Sequence, residues 1–192
     1  MNLHKKVIET VSLFPELNTN LITLLQDLTE SEWHKSTLFP HWKVKDIVAH
    51  LLDTAIRRLS SHRDQYEVEK KFEISSYSDL IEYVTQLADV WALAFNTVSP
   101  KIIIELIEKY QNQLYEFLKT INPNEFAKFS VAWAGEEKSY NWFDIAREYT
   151  ERWHHQMQIR ETIKQTDVLY EKELYKPVLD TFLKALPYHY GK

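Results

Sequence analysis

Apolar residues recur at intervals of three and four along most of this chain, the spacing that places side chains on one face of an α-helix. Leu3, Val7, Val11, Leu17, Leu21, Leu24, Leu25 and Leu28 do so across residues 2 to 28. Pro15 interrupts that run, so a broken first helix is predicted. Residues 33 to 43, WHKSTLFPHWK, are aromatic, contain proline and follow no period, which predicts a connector. Val44, Val48, Leu51, Leu52, Ala55 and Leu59 mark a second helix from about Val44 to Tyr66. A third is expected from Ser78, as its N-cap, to about Asn96, and Ser99-Pro100 opens a fourth to about Thr120. Residues 123 to 140, with Pro123 and Gly135, read as irregular. Asn141 is the expected cap of the next helix, with Asp144 three residues on, and that helix runs to about Lys164. A last amphipathic segment, Glu171 to Leu186, is expected to stop at Pro187. No repeat and no alternating series compete, so the pattern predicts an all-α bundle forming one domain over residues 1–192.

Composition narrows the function classes. Apolar residues make up 44% and aromatics 14% of 192 residues, enough for a packed, aromatic-rich core. Two glycines, Gly135 and Gly191, are too few for the phosphate-cradling loops of nucleotide-binding folds. A formal charge of -5 gives no general attraction to nucleic acid or to an anionic membrane. Neither a continuous apolar leader nor a run of membrane-spanning length is present, which predicts a cytoplasmic protein. With no cysteine, any metal must be held by His and carboxylate.

One stretch concentrates such donors. EYTERWHHQMQIRE, Glu148 to Glu161, sets Glu151 and His155 four residues apart in a helix, about 40° apart around the axis and one turn along it, where two side chains can converge on one atom. His154, three residues from Glu151, is the competing ligand. A third donor must come from elsewhere, and His50, in WKVKDIVAHLLD, is the histidine that lies well inside the second helix. By pattern alone all three sit away from the apolar stripes, as solvated surface residues would. A site there would be an open groove, flanked by Asp144, Arg147, Gln158 and Thr162. His4, His34, His41, His62 and His189 have no such context and read as ordinary surface or loop histidines.

These stretches carry a resemblance. HWKVKDIVAHLLDTAIRRLSSHRD resembles the second-helix signature of the DinB/YfiT-like superfamily, with Trp42, Asp46, His50 and Leu51 in place, and ERWHHQMQIR resembles its second metal signature at His154, His155, Gln158 and Ile159. Glu151 stands where that signature often has histidine, which is similar to the N-terminal domain of mycothiol-dependent maleylpyruvate isomerase. The resemblance implies a four-helix bundle with an extra C-terminal helix and a divalent metal, zinc or nickel, held by His50, Glu151 and His155. It also implies a low-molecular-weight thiol cofactor of the mycothiol or bacillithiol type, and a transferase or isomerase that joins such a thiol to a small electrophile. Arg57 would meet an anionic group of thiol or substrate, and Asp46 would be either a first-turn anion or a partner of His50. A homodimer is implied as well. A non-catalytic metal-binding, stress-related bundle and a metal-dependent hydrolase using bound water are the alternatives at the same residues.

Overall fold

The computed structural model describes residues 7–39, 41–68 and 75–191. Seven α-helices occur among them, and the all-α reading is correct: α1 (Phe14–Asp27), α2 (Glu30–Trp33), α3 (Val44–Arg58), α4 (Tyr77–Phe95), α5 (Pro100–Leu118), α6 (Asn141–Ile163) and α7 (Lys172–Tyr190). The only β-type pairings among these residues are the isolated bridges of Ser36 with Lys43 and of Phe126 with Tyr140. No helix among them is long and apolar enough to cross a membrane. The chain gathers into two compact units, Ile22–Leu114 and the residues on either side, up to Leu21 and from Tyr115 onward.

Within Ile22–Leu114, α3 packs against α4 and α2. Its predicted stripe is the buried face: Val44, Val48, Leu51, Leu52, Ala55 and Leu59 are all removed from solvent, joined by Ile47. Burying a side chain of this kind contributes about 1.5–3 kcal/mol, so the stripe alone accounts for the helix's attachment. The helix ends sooner than Tyr66. A π turn, Leu59–Arg63, widens its last turn, Asp64 N–H returns to the Leu59 carbonyl at 3.0 Å, and Gln65 takes a left-handed φ of 55°. α2 was not anticipated; it rests on a capping box in which Thr29 N–H donates to Glu32 Oε2 at 2.9 Å and Glu32 N–H to Thr29 Oγ1 at 3.3 Å. α4 is capped by Ser76, not Ser78, because Asp79 stands three residues after Ser76 and accepts from its N–H at 2.9 Å.

In the other unit α6 packs against α7. Tyr149 is fully buried, meets Phe14 edge-on at 5.6 Å and donates its hydroxyl to the Leu174 carbonyl at 3.0 Å. One turn on, Trp153 Nε1 donates to the Leu169 carbonyl at 3.0 Å and its ring stacks on Tyr175 at 5.1 Å. Val131, Ala134, Phe143 and Ala185 form a further cluster, with Trp133 and Trp142 against it. Pro15 does not break the first helix. A 3-10 turn, Val11–Leu13, leads straight into α1, where Pro15 occupies the first turn and its missing N–H has no intrahelical partner to lose; Leu3 lies outside the described residues. Asn141 is the first residue of α6 and Tyr140 its cap, the Asn141 amide donating instead to the Asn122 carbonyl at 2.9 Å. Nor does Pro187 stop α7, which runs on to Tyr190. The added turn is held from outside: His189 Nε2 lies 3.0 Å from the Trp133 carbonyl, and the Tyr188 ring lies against Gly135.

Candidate functional site

The α3 donors sit in the Ile22–Leu114 unit. His50 is mostly covered, with 15% of its side chain exposed, and its ring tilts against Trp42 at 5.2 Å. Trp42 is fixed by an Nε1 bond to Asp89 Oδ1 at 3.0 Å and by an edge contact with Phe39 at 5.0 Å. Asp46 accepts from the Lys43 N–H at 2.8 Å, which is the role of a first-turn anion. The carboxylate beside His50 is instead Asp53, whose Oδ2 is 3.9 Å from Nδ1. Asp53 is fully buried: burial holds its carboxyl above the ordinary range, and the Arg57 guanidinium, forked onto it at 2.7 and 2.5 Å, offsets that only in part. Arg57 therefore spends its fork on Asp53, and an anionic ligand would have to share it. Sequence reasoning missed Asp53, although its spacing of three from His50 and four from Arg57 on one helix was visible.

On α6, in the other unit, Glu151 and His155 come together as their spacing predicts, with His155 Nε2 3.5 Å from Glu151 Oε2. Two ligands held about 2.1 Å from one tetrahedral ion stand roughly 3.4 Å apart, so this pair fits two corners of such a site. Glu151 is half exposed and His155 mostly covered. The other imidazole nitrogen, His155 Nδ1, lies 2.9 Å from Gln158 Oε1, while Gln158 Nε2 lies 3.2 Å from His154 Nε2. His154 is thus engaged by Gln158, and its proton affinity is held below the ordinary imidazole range, first by burial and then by the neighbouring His155.

Around this pair α6 is far less wet than its sequence suggests. Asp144 is buried, a correction to its reading as a solvated flank, and Arg147 is three-quarters covered. The reason is charge pairing. Arg147 Nη2 lies 2.9 Å from Asp144 Oδ1 and 3.6 Å from Glu148 Oε2, and Arg152 Nη2 donates to Glu148 Oε1 at 2.9 Å. Burial works against the Arg147 cation, yet Asp144 and Glu148 outweigh it and hold the guanidinium above its ordinary range. Arg160 is buried too; it donates to the Asn20 and Gln165 carbonyls, and burial lowers its proton affinity. Arg152 and Arg160 are therefore occupied within the protein. Among the described residues no three His, Asp or Glu side chains gather into one metal-holding group; the local donor set is the Glu151–His155 pair, with His50 in the other unit.

Among the described residues the chain is all-helical, with a Glu–His pair one turn apart on α6 and a histidine on α3. Residues 14–72 match the family model of the mycothiol maleylpyruvate isomerase N-terminal domain, the family that the sequence resembles. That match takes in His50 and Arg57 and ends before α6. No curated protein and no solved structure matches the chain.

Proposed function

We propose that this protein is a divalent-metal-dependent transferase that brings a low-molecular-weight thiol of the mycothiol or bacillithiol type to a small electrophile. The observation that carries the reading is the 3.5 Å approach of His155 Nε2 to Glu151 Oε2, with the far side of the imidazole bonded to Gln158. In this reading Glu151 and His155 hold zinc or nickel from α6, and His50 is the third donor that the family resemblance implies. Three protein donors leave a position open for an exogenous ligand, the mark of a working site rather than a structural one. When bound, the cation lowers the pKa of a thiol beside it and so supplies thiolate at neutral pH. The chain's own contribution is to hold and orient. Trp42 fixes the His50 ring, Gln158 the His155 ring, and Arg57, shared with Asp53, offers a cation to an anionic group of the thiol. The reading sets the work in the cytoplasm, where thiols stay reduced, and takes the protein as a homodimer.

Cobalt substitution tests it. Adding a small thiol to the cobalt-loaded protein is expected to produce sulfur-to-metal charge-transfer absorption, and a Glu151→Ala, His155→Ala variant should show none. A wild-type spectrum unmoved by a broad set of thiols would overturn the transferase reading in favour of a non-catalytic metal-binding bundle.

A further inference from the structure

Gln158 touches both histidines of the α6 stretch with opposite ends of one amide, and an amide has a fixed polarity: its oxygen only accepts and its nitrogen only donates. Oε1 at 2.9 Å from His155 Nδ1 therefore requires a proton on that nitrogen, and Nε2 at 3.2 Å from His154 Nε2 requires a bare nitrogen there. A neutral imidazole protonated at Nδ1 carries its lone pair on Nε2. That bare nitrogen faces Glu151 Oε2 at 3.5 Å, so the Gln158 contact must keep the proton on Nδ1 against the pull of the carboxylate on Nε2. Reversing the amide would reverse both rings together, placing a proton on His155 Nε2 in the very position a cation would take. The two histidines are thus coupled through one side chain.

We propose that Gln158 is a positioning residue that holds His155 in the Nδ1-protonated tautomer, with His154 as the acceptor that fixes the direction of the amide. This deepens the metal reading above and rests on it for its purpose, but the tautomer itself is a property of the metal-free protein. His154 thereby acquires a role without being a ligand. Partners of this kind behind a ligating histidine typically change metal affinity by about 10- to 100-fold when removed.

Long-range proton–nitrogen NMR of the metal-free protein, recorded above the imidazole titration range, reads the tautomer directly. Wild type is expected to show His155 protonated at Nδ1 and bare at Nε2. Gln158→Leu should move the proton to Nε2 for most of the population, and Gln158→Glu, which still accepts from Nδ1, should restore the wild-type pattern. Zinc affinity by chelator competition should fall about 10- to 100-fold in Gln158→Leu and recover in Gln158→Glu. A wild-type His155 protonated at Nε2, or a Gln158→Leu protein with unchanged tautomer, overturns the assignment of Gln158. A protein with the expected tautomers that binds no zinc upholds that assignment and removes the metal reading alone.

Discussion

Replacing Glu148 is expected to cost this protein far more stability than replacing Glu151, although the two carboxylates stand three residues apart on one helix. Glu148 and Arg152 are buried, and Arg152 Nη2 donates to Glu148 Oε1 at 2.9 Å. Glu148→Leu would leave the Arg152 cation inside the protein without that partner, a change that costs about 3–5 kcal/mol. Set against a total stability of roughly 5–15 kcal/mol, this is a large fraction. At about 2–4 °C per kcal/mol for a chain of this size, melting should fall by roughly 10 °C. Arg152→Met should cost less, because the Glu148 carboxylate keeps Arg147 at 3.6 Å. The double variant removes both charges and should return to within about 1 kcal/mol of wild type, since a buried pair is close to neutral against well-packed apolar side chains. Glu151→Gln, at a half-exposed position, should stay within about 0.5 kcal/mol. Urea titrations followed by circular dichroism and tryptophan fluorescence give all four values. A Glu148→Leu protein within 1 kcal/mol of wild type, or a double variant as unstable as the single one, would refute the reasoning.

Two further outcomes follow from local geometry. The Asp79 carboxylate accepts from the Ser75 and Ser76 N–H groups at 3.0 and 2.9 Å, and its bonds to Ser76 and Ser75 hold it below the ordinary carboxylate range. A lowered folded-state pKa stabilises above the unfolded value and loses that stabilisation as pH falls through the folded one. Asp79→Asn should therefore be less stable than wild type at neutral pH, with the gap in urea midpoint closing below about pH 4; a gap independent of pH would disprove the role. At Gly135, φ is +77° and an added Cβ would meet Tyr188 Cδ2 at 2.2 Å. Gly135→Ala should cost about 2 kcal/mol from the left-handed backbone plus displacement of the ring. In a Tyr188→Ala background the same change should cost measurably less, and thermal melts showing strict additivity would exclude the contact.

The apolar stripe of α3 was legible because its buried residues are apolar and its period is regular; α5 was legible because Ser99-Pro100 is an unambiguous helix start. α6 shows where the pattern fails. Asp144, Glu148, Arg152 and Arg160 look like a solvated face, yet all four are buried. Complementary charges three and four apart describe a surface helix and a buried, internally paired one equally well, and only tertiary packing decides between them. Ser76 and Ser78 both suit an N-cap, and Asp79, three residues after Ser76, decides for Ser76 by closing the capping box. The Glu151–His155 pair could be read from spacing, because helical geometry fixes the proximity of side chains four apart. The grip of Gln158 on two rings could not, because it depends on three side-chain rotamers, and neither could the contact of Asp53 with His50 at 3.9 Å.

The placement of that pair on α6 also bears on how it could work. Tyr149 and Trp153 interleave with Glu151 and His155 along the helix, and each is pinned by a hydrogen bond from its ring to a backbone carbonyl on the segment leading into or beginning α7. The backbone that carries the two donors is therefore fixed by buried anchors on the opposite side of the helix. Donors held by a rigid element need little further ordering when they close on a ligand, so less of the binding free energy is lost to conformational entropy. The Glu151 carboxylate is half exposed, while the imidazole is oriented by Gln158. Tyr149 and Trp153 lie on the side of α6 away from Glu151 and His155, so a change at Tyr149 should read out in folding, and under the proposed metal reading a change at Glu151 or His155 should read out in ligand binding.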